Sequence, residues 1–246
     1  MCGRYAHSAT EARLVEEFEI DRVIEPLPGP DYNTAPTDQV PAVLTRVDHD
    51  SGRPQRRLAA LRWGLVPSWA KDVRIGPRMI NARLETVAQK PAFRKAFLAR
   101  RCLLPADGYY EWRTLETPGG KSRKQPFFIH HPDQQTFVMA GLYEFWRDPA
   151  RDPEDPEAWV RSCTVITTDA TDSVGHIHDR MPLTVPQENW TDWLDPELQD
   201  PSAVFELIGV SDQLEAYPVS PAVGNVANNS PELVEPLPSE PIDTLW

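Results

Sequence analysis

Twenty-six of the 246 residues are proline. A proline lacks a backbone N–H and clashes with the preceding turn, so it interrupts helix interiors and sits at edges, bulges and first turns. Together with 12 glycines, these prolines restrict the chain to many turns and short elements rather than long helices. No Gly/Ser linker divides the sequence, so one sizeable domain is expected. No run of about 18 apolar residues is present, so no membrane span is expected. The N-terminus lacks a basic-then-apolar signal pattern, so a cytoplasmic protein is expected.

The pattern predicts many short strands and a few short helices. Thr10 caps a helix running to Ile20, with Leu14, Val15 and Phe18 on one face. Val40–Thr45 and Arg57–Trp63 read as strands, the second with Ala59, Leu61 and Trp63 on one side. Asp31 to Pro36 reads as a loop. Met79 to Glu85 alternates, with Ile80, Ala82 and Leu84 facing one way and Asn81, Arg83 and Glu85 the other. Pro91 to Arg100 suits a short basic helix. Arg101–Leu104, Gly108–Arg113, Phe127–His130, Thr136–Trp146 and Ser162–Thr168 read as strands, with a basic loop around Gly119-Gly120. Short helices follow at Pro186–Leu194 and Ser202–Leu207, then a last strand at Ala216–Ser220. The class is α+β with a β-rich, curled or barrel-like sheet and short flanking helices.

The net charge of −12 argues against a general nucleic-acid binder, but the charge is unevenly placed. Residues 1–130 hold 21 Lys/Arg and 15 Asp/Glu; residues 131–246 hold 4 and 22. Much of the acid lies in the 148–157 segment and in a Pro-rich tail from Pro231, both expected to be solvated and flexible. A local basic groove in the first half remains allowed. Cys102 and Cys163 read as small buried strand residues, and the wide spacing of the three cysteines matches neither a disulfide framework nor a zinc motif.

Cys2 is different. An initiator methionine ahead of so small a residue is removable, and what remains carries an α-amine and a thiol on adjacent carbons. The amine has an unperturbed pKa of about 7.7, against about 10.4 for lysine. The thiol, near 8.5, is partly thiolate and strongly nucleophilic. Such a residue is an aldehyde trap that closes a thiazolidine ring, or an acyl-transfer nucleophile with its own base. Chance placement in a frayed terminus is the plainer alternative.

Three polar clusters suit a terminal cysteine. Asn81, Arg83 and Glu85 share a strand face: the amide can hold a hydroxyl or carbonyl, and the guanidinium can clamp a phosphate. Alternatively this is a solvent-facing side. Glu111, in Gly108-Tyr-Tyr-Glu-Trp-Arg, is crowded by aromatics that raise a carboxyl pKa and suit it to proton transfer, or it simply pairs with an arginine. His178, in His176-Ile-His-Asp-Arg-Met-Pro182, is a candidate acid–base that Asp179 or another carboxylate could orient, or a structural histidine. Metal binding by the His-x-His pair is disfavoured, since no carboxylate or cysteine partner is near in sequence. Arg4, Arg83 and Arg180 are candidate phosphate contacts, and Trp63 and Trp69 candidate base-stacking residues for single-stranded nucleic acid; scattered arginines and tryptophans are otherwise solvated face and core.

Seven motifs then occur in order: Met1-Cys-Gly-Arg-Tyr, Tyr32-Asn-Thr-Ala-Pro36, Trp63-Gly-Leu-Val-Pro-Ser-Trp69, Ile80-Asn-Ala-Arg-Leu-Glu-Thr86, Gly108-Tyr-Tyr-Glu-Trp112, His178-Asp-Arg-Met-Pro182 and Val219-Ser-Pro-Ala-Val-Gly-Asn225. Together they strongly resemble the SRAP family, the SOS response-associated peptidase or abasic-site processing proteins. The resemblance implies a β-rich pseudo-barrel over residues 2–230, followed by an acidic flexible tail at 231–246. It implies a basic groove for single-stranded DNA and a thiazolidine crosslink between Cys2 and an abasic site, with possible lyase activity. Carried over, Cys2 is the nucleophile, Asn81 orients the sugar, Glu111 opens its ring, and His178 assists Schiff-base formation and reversal. Arg4, Arg83 and Arg180 match phosphate contacts, Thr167 a pocket-lining residue, and Pro36 with the Trp63–Trp69 loop the groove wall. The family also implies removal of Met1, by its own thiol autopeptidase activity or otherwise. No cofactor or metal is expected, the protein is expected to be a monomer, and it joins the nucleoid when bound to DNA. The acidic 148–158 insert and the tail depart from the family pattern.

Two rivals stay open. An N-terminal-nucleophile amidohydrolase of the glutamine amidotransferase type can also begin Met-Cys-Gly, with the α-amine as base. A non-catalytic single-strand binding module would make Cys2 incidental.

Overall fold

The structure is a computed structural model. It describes residues 2–238 apart from 118–119, 134, 153 and 212. Its strands are β1 (Tyr5–His7), β2 (Arg22–Val23), β3 (Asp31–Thr34), β4 (Gln39–Val47), β5 (Pro54–Trp63), β6 (Asn81–Arg83) and β7 (Arg101–Ala106). They continue with β8 (Gly108–Thr117), β9 (Lys121–His130), β10 (Phe137–Arg147), β11 (Trp159–Asp169), β12 (Arg180–Pro182) and β13 (Glu215–Pro218). The helices are α1 (Glu11–Glu17), α2 (Leu84–Val87), α3 (Arg94–Ala99), α4 (Asp172–Gly175), α5 (Trp190–Leu194) and α6 (Pro201–Glu206). Every helix is short, as the proline spacing requires.

Five strands close into a barrel. β5 pairs with β4, β4 with β7, β7 with β10 and β10 with β11, all antiparallel. β11 then returns to β5 through a short parallel stretch, Ser162 opposite Arg62 and Cys163 opposite Trp63. Beyond that stretch β11 carries β6 in parallel on one edge and β12 antiparallel on the other. A second sheet, in the order β13-β9-β8-β1-β3, packs against the barrel.

Alternation along the strands separates two cores. Ala59, Leu61, Trp63, Cys102, Leu104, Cys163 and Val165 face inward and meet Cys2, Tyr5, Tyr109 and Ile129 from the second sheet. Leu58, Leu103, Ala140 and Ile166 face outward and are covered by the short helices. β7 is buried at every position, as a strand covered on both faces must be. Thr10 caps α1 by accepting the Arg13 N–H, and Leu14 and Phe18 bury against the barrel, with Phe18 stacked on Trp190.

The expected α+β, β-rich pseudo-barrel with short helices is the fold found. Local differences have physical causes. Asp31–Thr34 is a strand rather than a loop because its backbone pairs with β1. Met79–Glu85 is extended only at Asn81–Arg83; the chain coils into α2 at Leu84, which places Glu85 in a helical first turn. The strands flanking the expected basic loop run further than expected, paired out to Thr117 opposite Lys121, and Gly119 of that loop lies outside the described residues. The tail expected to be loose from Pro231 is docked as far as Leu237: Pro231–Val234 forms a 3-10 turn, Leu233 is buried and the Leu237 N–H donates to the Pro218 carbonyl. Residues 239–246 lie outside the described residues. No helix among the described residues is long and apolar enough to cross a membrane.

Candidate active site at the chain's second residue

Register between β1 and β8 builds half of the site. Tyr5 lies opposite Tyr109, Ala6 opposite Gly108, and the Tyr110 N–H donates to the Arg4 carbonyl at 2.9 Å. Continued back toward the N-terminus, that register sets Gly3 level with Glu111 and Cys2 with Trp112, close enough for Cys2 to feel the Glu111 charge. β11 organises the other half: β6 lies on one edge with Asn81 opposite Val165, and β12 on the other with Arg180 opposite Asp169. His178 stands in the turn between α4 and β12.

These residues converge. The Asn81 Nδ2 amide donates to the Cys2 carbonyl at 2.7 Å. His178 Nε2 lies 3.9 Å from Glu111 Oε2, too far for a direct hydrogen bond but close for charge. On the other side of the ring, Nδ1 accepts the Arg180 backbone N–H at 3.0 Å and lies 2.9 Å from Asp179 Oδ1. The first contact needs a lone pair on Nδ1 and the second a proton there, so the Nε2–H tautomer suits Arg180 and a ring with Nδ1–H suits Asp179. Asn81 and Thr167 share a face at the β6–β11 seam, and their side-chain oxygens are buried with no hydrogen-bond partner among the described residues.

Burial sets the electrostatics. Glu111 is 4 % exposed, and loss of water raises its carboxyl above the ordinary range. The Cys2 thiol is fully buried, and desolvation, with the Glu111 charge added, pushes it well above an ordinary thiol. The expectation of a partly ionised thiol is thus corrected: while residue 1 precedes it, Cys2 keeps its proton. The pose of Met1 lies outside the described residues.

The family model for SOS response associated peptidase (SRAP) matches residues 1–226. The chain belongs to the SRAP family. It is similar to abasic site processing protein YoqW of Bacillus subtilis, 41% identical over 238 residues that cover 96% of this chain and 99% of that protein. It is also similar to abasic site processing protein YedK of Escherichia coli, 33% identical over 245 residues, with 96% of this chain and 100% of that protein covered. A crystal structure of a protein from Bacteroides thetaiotaomicron superposes with a TM-score of 0.78 at 26% identity, covering 96% of this chain and all of the other.

In this SRAP chain the sequence-predicted site residues divide. Cys2, Asn81, Glu111 and His178 come together, and Thr167 lies at the same seam. Arg83 is exposed beside them, Trp69 is 59% exposed on its loop and Pro36 is half-buried. Trp63 is a correction: its ring is fully buried, edge-on to Tyr5, with Nε1 donating to the Ile80 carbonyl, so no face is available to stack on a base. Arg4 is half-buried and ties β1 to residues 33 and 223: its Nη1 donates to Asn33 Oδ1 at 2.6 Å and to the Val223 carbonyl at 2.9 Å. Arg180 is spent on carboxylates rather than offered to a phosphate. It forms a bidentate pair with Glu85, meets Asp169 at 2.6 Å and donates to the Thr167 carbonyl. That clamp fixes the backbone N–H that Arg180 presents to His178.

Asp169 went unnoticed in the sequence as part of the site, and Glu85, grouped there with Asn81 and Arg83 on a strand face, instead pairs with Arg180 from a helical turn. The i+2 alternation that grouped Glu85 with Asn81 held no sign that the chain turns helical at Leu84. Among the described residues no three His, Cys, Asp or Glu side chains are grouped to hold a metal.

Proposed function

We propose that this protein processes abasic sites in single-stranded DNA by trapping the open-chain sugar aldehyde on Cys2. The observation that carries this reading is the convergence of an amide, a desolvated carboxyl and an imidazole on Cys2. The names of the relatives support the same class of substrate.

Hydrolysis of the Met1–Cys2 peptide frees the α-amine. Asn81 holds the Cys2 carbonyl, which fixes the amine and thiol of the same residue in one orientation. Glu111, kept protonated to higher pH by burial, gives a proton to the ring oxygen of the closed sugar and later removes one from the attacking group. The amine adds to C1′ and one water leaves, giving an imine. The thiol passes its proton to the Glu111–His178 pair as sulfur bonds to C1′ and the former imine nitrogen takes a proton. The product is a thiazolidine with no free aldehyde.

A single gel tests this. Purified protein mixed with a single-stranded oligonucleotide carrying one abasic site gives a heat-stable shifted band on a denaturing gel. Cys2→Ala gives none. Glu111→Gln still binds DNA but crosslinks slower by about 10²-fold, the lower end for a lost general acid–base group. Glutamine hydrolysis with no band would favour the amidohydrolase instead, and salt-sensitive binding with no band the non-catalytic module.

A further inference from the structure

The β8–β9 hairpin runs on past the part of the sheet that is covered. Glu111 and Gln125 are buried, whereas Arg113, Thr114, Glu116 and the four residues Lys121–Lys124 are exposed. The strands nevertheless stay paired to Thr117 opposite Lys121. A bare two-stranded ribbon is marginal in water, so this extension adds little to the core.

Strand alternation sorts its charges. Glu111, Arg113 and Leu115 share one face, and so do their cross-strand partners Phe127, Gln125 and Arg123. Glu116 and Lys124 lie on the other face. The face that ends in Glu111 therefore continues outward with two arginines and no carboxylate. Neither arginine has a carboxylate partner among the described residues. At about 3.4 Å per residue, Arg113 stands ~7 Å beyond Glu111 and Arg123, opposite Leu115, ~14 Å beyond it. In a chain of net charge −12, this cationic face is local and leads into the site along one strand.

We propose that the ribbon is a contact for the DNA backbone, with Arg113 and Arg123 binding phosphates of the single strand on one side of the nucleotide held at Glu111. The proposal rests on the DNA reading of the site and extends it to a surface outside the seven motifs' proposed contacts. Charge complementarity selects the occupant: paired guanidiniums on a flat ribbon face suit phosphates.

The test uses the full-length protein and a labelled single-stranded oligonucleotide without any lesion, so that binding is read without crosslinking. Each single-strand phosphate contact contributes about 0.7 to the slope of log K against log salt. The double variant Arg113→Gln/Arg123→Gln is expected to lower that slope by about 1.4. The control Lys95→Gln/Lys124→Gln, which removes the same charge away from this face, is expected to leave it unchanged. With an abasic oligonucleotide at saturation, the ribbon variant reaches the native crosslink yield. Oligonucleotides with the lesion at either end show the loss for one flank only. An unchanged slope, which would leave the ribbon to an acidic protein partner, overturns the proposal; so does an equal loss in the control. Failure of the native protein to crosslink at all would count against the site reading, while the slope comparison would still decide the ribbon.

Discussion

At the scale of single residues, burial rather than charge pairing governs the titratable groups near the N-terminus. It lifts Glu111 and Cys2, and it depresses His7. His7 sits in β1 at 3 % exposure, and desolvation lowers its imidazole to about 4 against the opposing pull of Asp31. The unfolded chain takes up that proton near 6.5, so between 6.5 and 4 the unfolded state binds more protons than the folded one. Stability is therefore full above 6.5 and falls as pH drops toward 4. At about 1.4 kcal/mol per unit the loss is bounded at roughly 3 kcal/mol. Urea melts at pH 7 and pH 4.5 check this. The native protein loses more stability between them than His7→Gln does, and equal losses would show that His7 is charged or solvated in the fold. Arg180 makes a different residue-scale point: a buried cation next to a catalytic candidate can serve it by clamping the backbone rather than by touching substrate.

Among the elements, the β1–β8 ladder is what brings Cys2 to Glu111. Gly108 is required there: a Cβ would stand 2.5 Å from the Ile129 carbonyl oxygen and 2.6 Å from Phe128 Cζ. The carbonyl belongs to the next rung of the sheet and cannot swing aside. Gly108→Ala is expected to cost about 2 kcal/mol, in the range for overpacking, and to lower the melting temperature by about 4–8 °C for a chain of this size. Crosslinking should slow with it, since Cys2 shifts against Glu111; an unaltered melt would mean that the ladder is looser than its register implies. The barrel strands were legible because apolar positions alternate between an inner core and a helix-covered outside. β3 and β6 were not, because each is defined by a few backbone pairs with a distant strand and not by its own pattern.

For the molecule as a whole, closure comes from a parallel contact only two residues long between β5 and β11, 100 positions apart in sequence. No local signal carries that, so a curled sheet could be read in the sequence and the closing pair could not. The core site was legible as chemistry: Cys2, Asn81, Glu111 and His178 stood out by residue type and motif, and they meet. The outlying contacts were less so, because Trp63 is typed like a base-stacking residue and used as core. Acid is concentrated in the second half of the chain, whereas Arg83, Arg113 and Arg123 lie in the first. The whole account turns on a masked aldehyde being captured by both nucleophiles of one terminal residue. Its most direct measurement is the mass of the DNA-bound N-terminal peptide before and after borohydride treatment. The account predicts a peptide beginning at Cys2, joined to the sugar with loss of one water and unchanged by borohydride, because nitrogen and sulfur both hold C1′. An adduct that keeps Met1, or one that gains two hydrogens as a simple imine would, contradicts it.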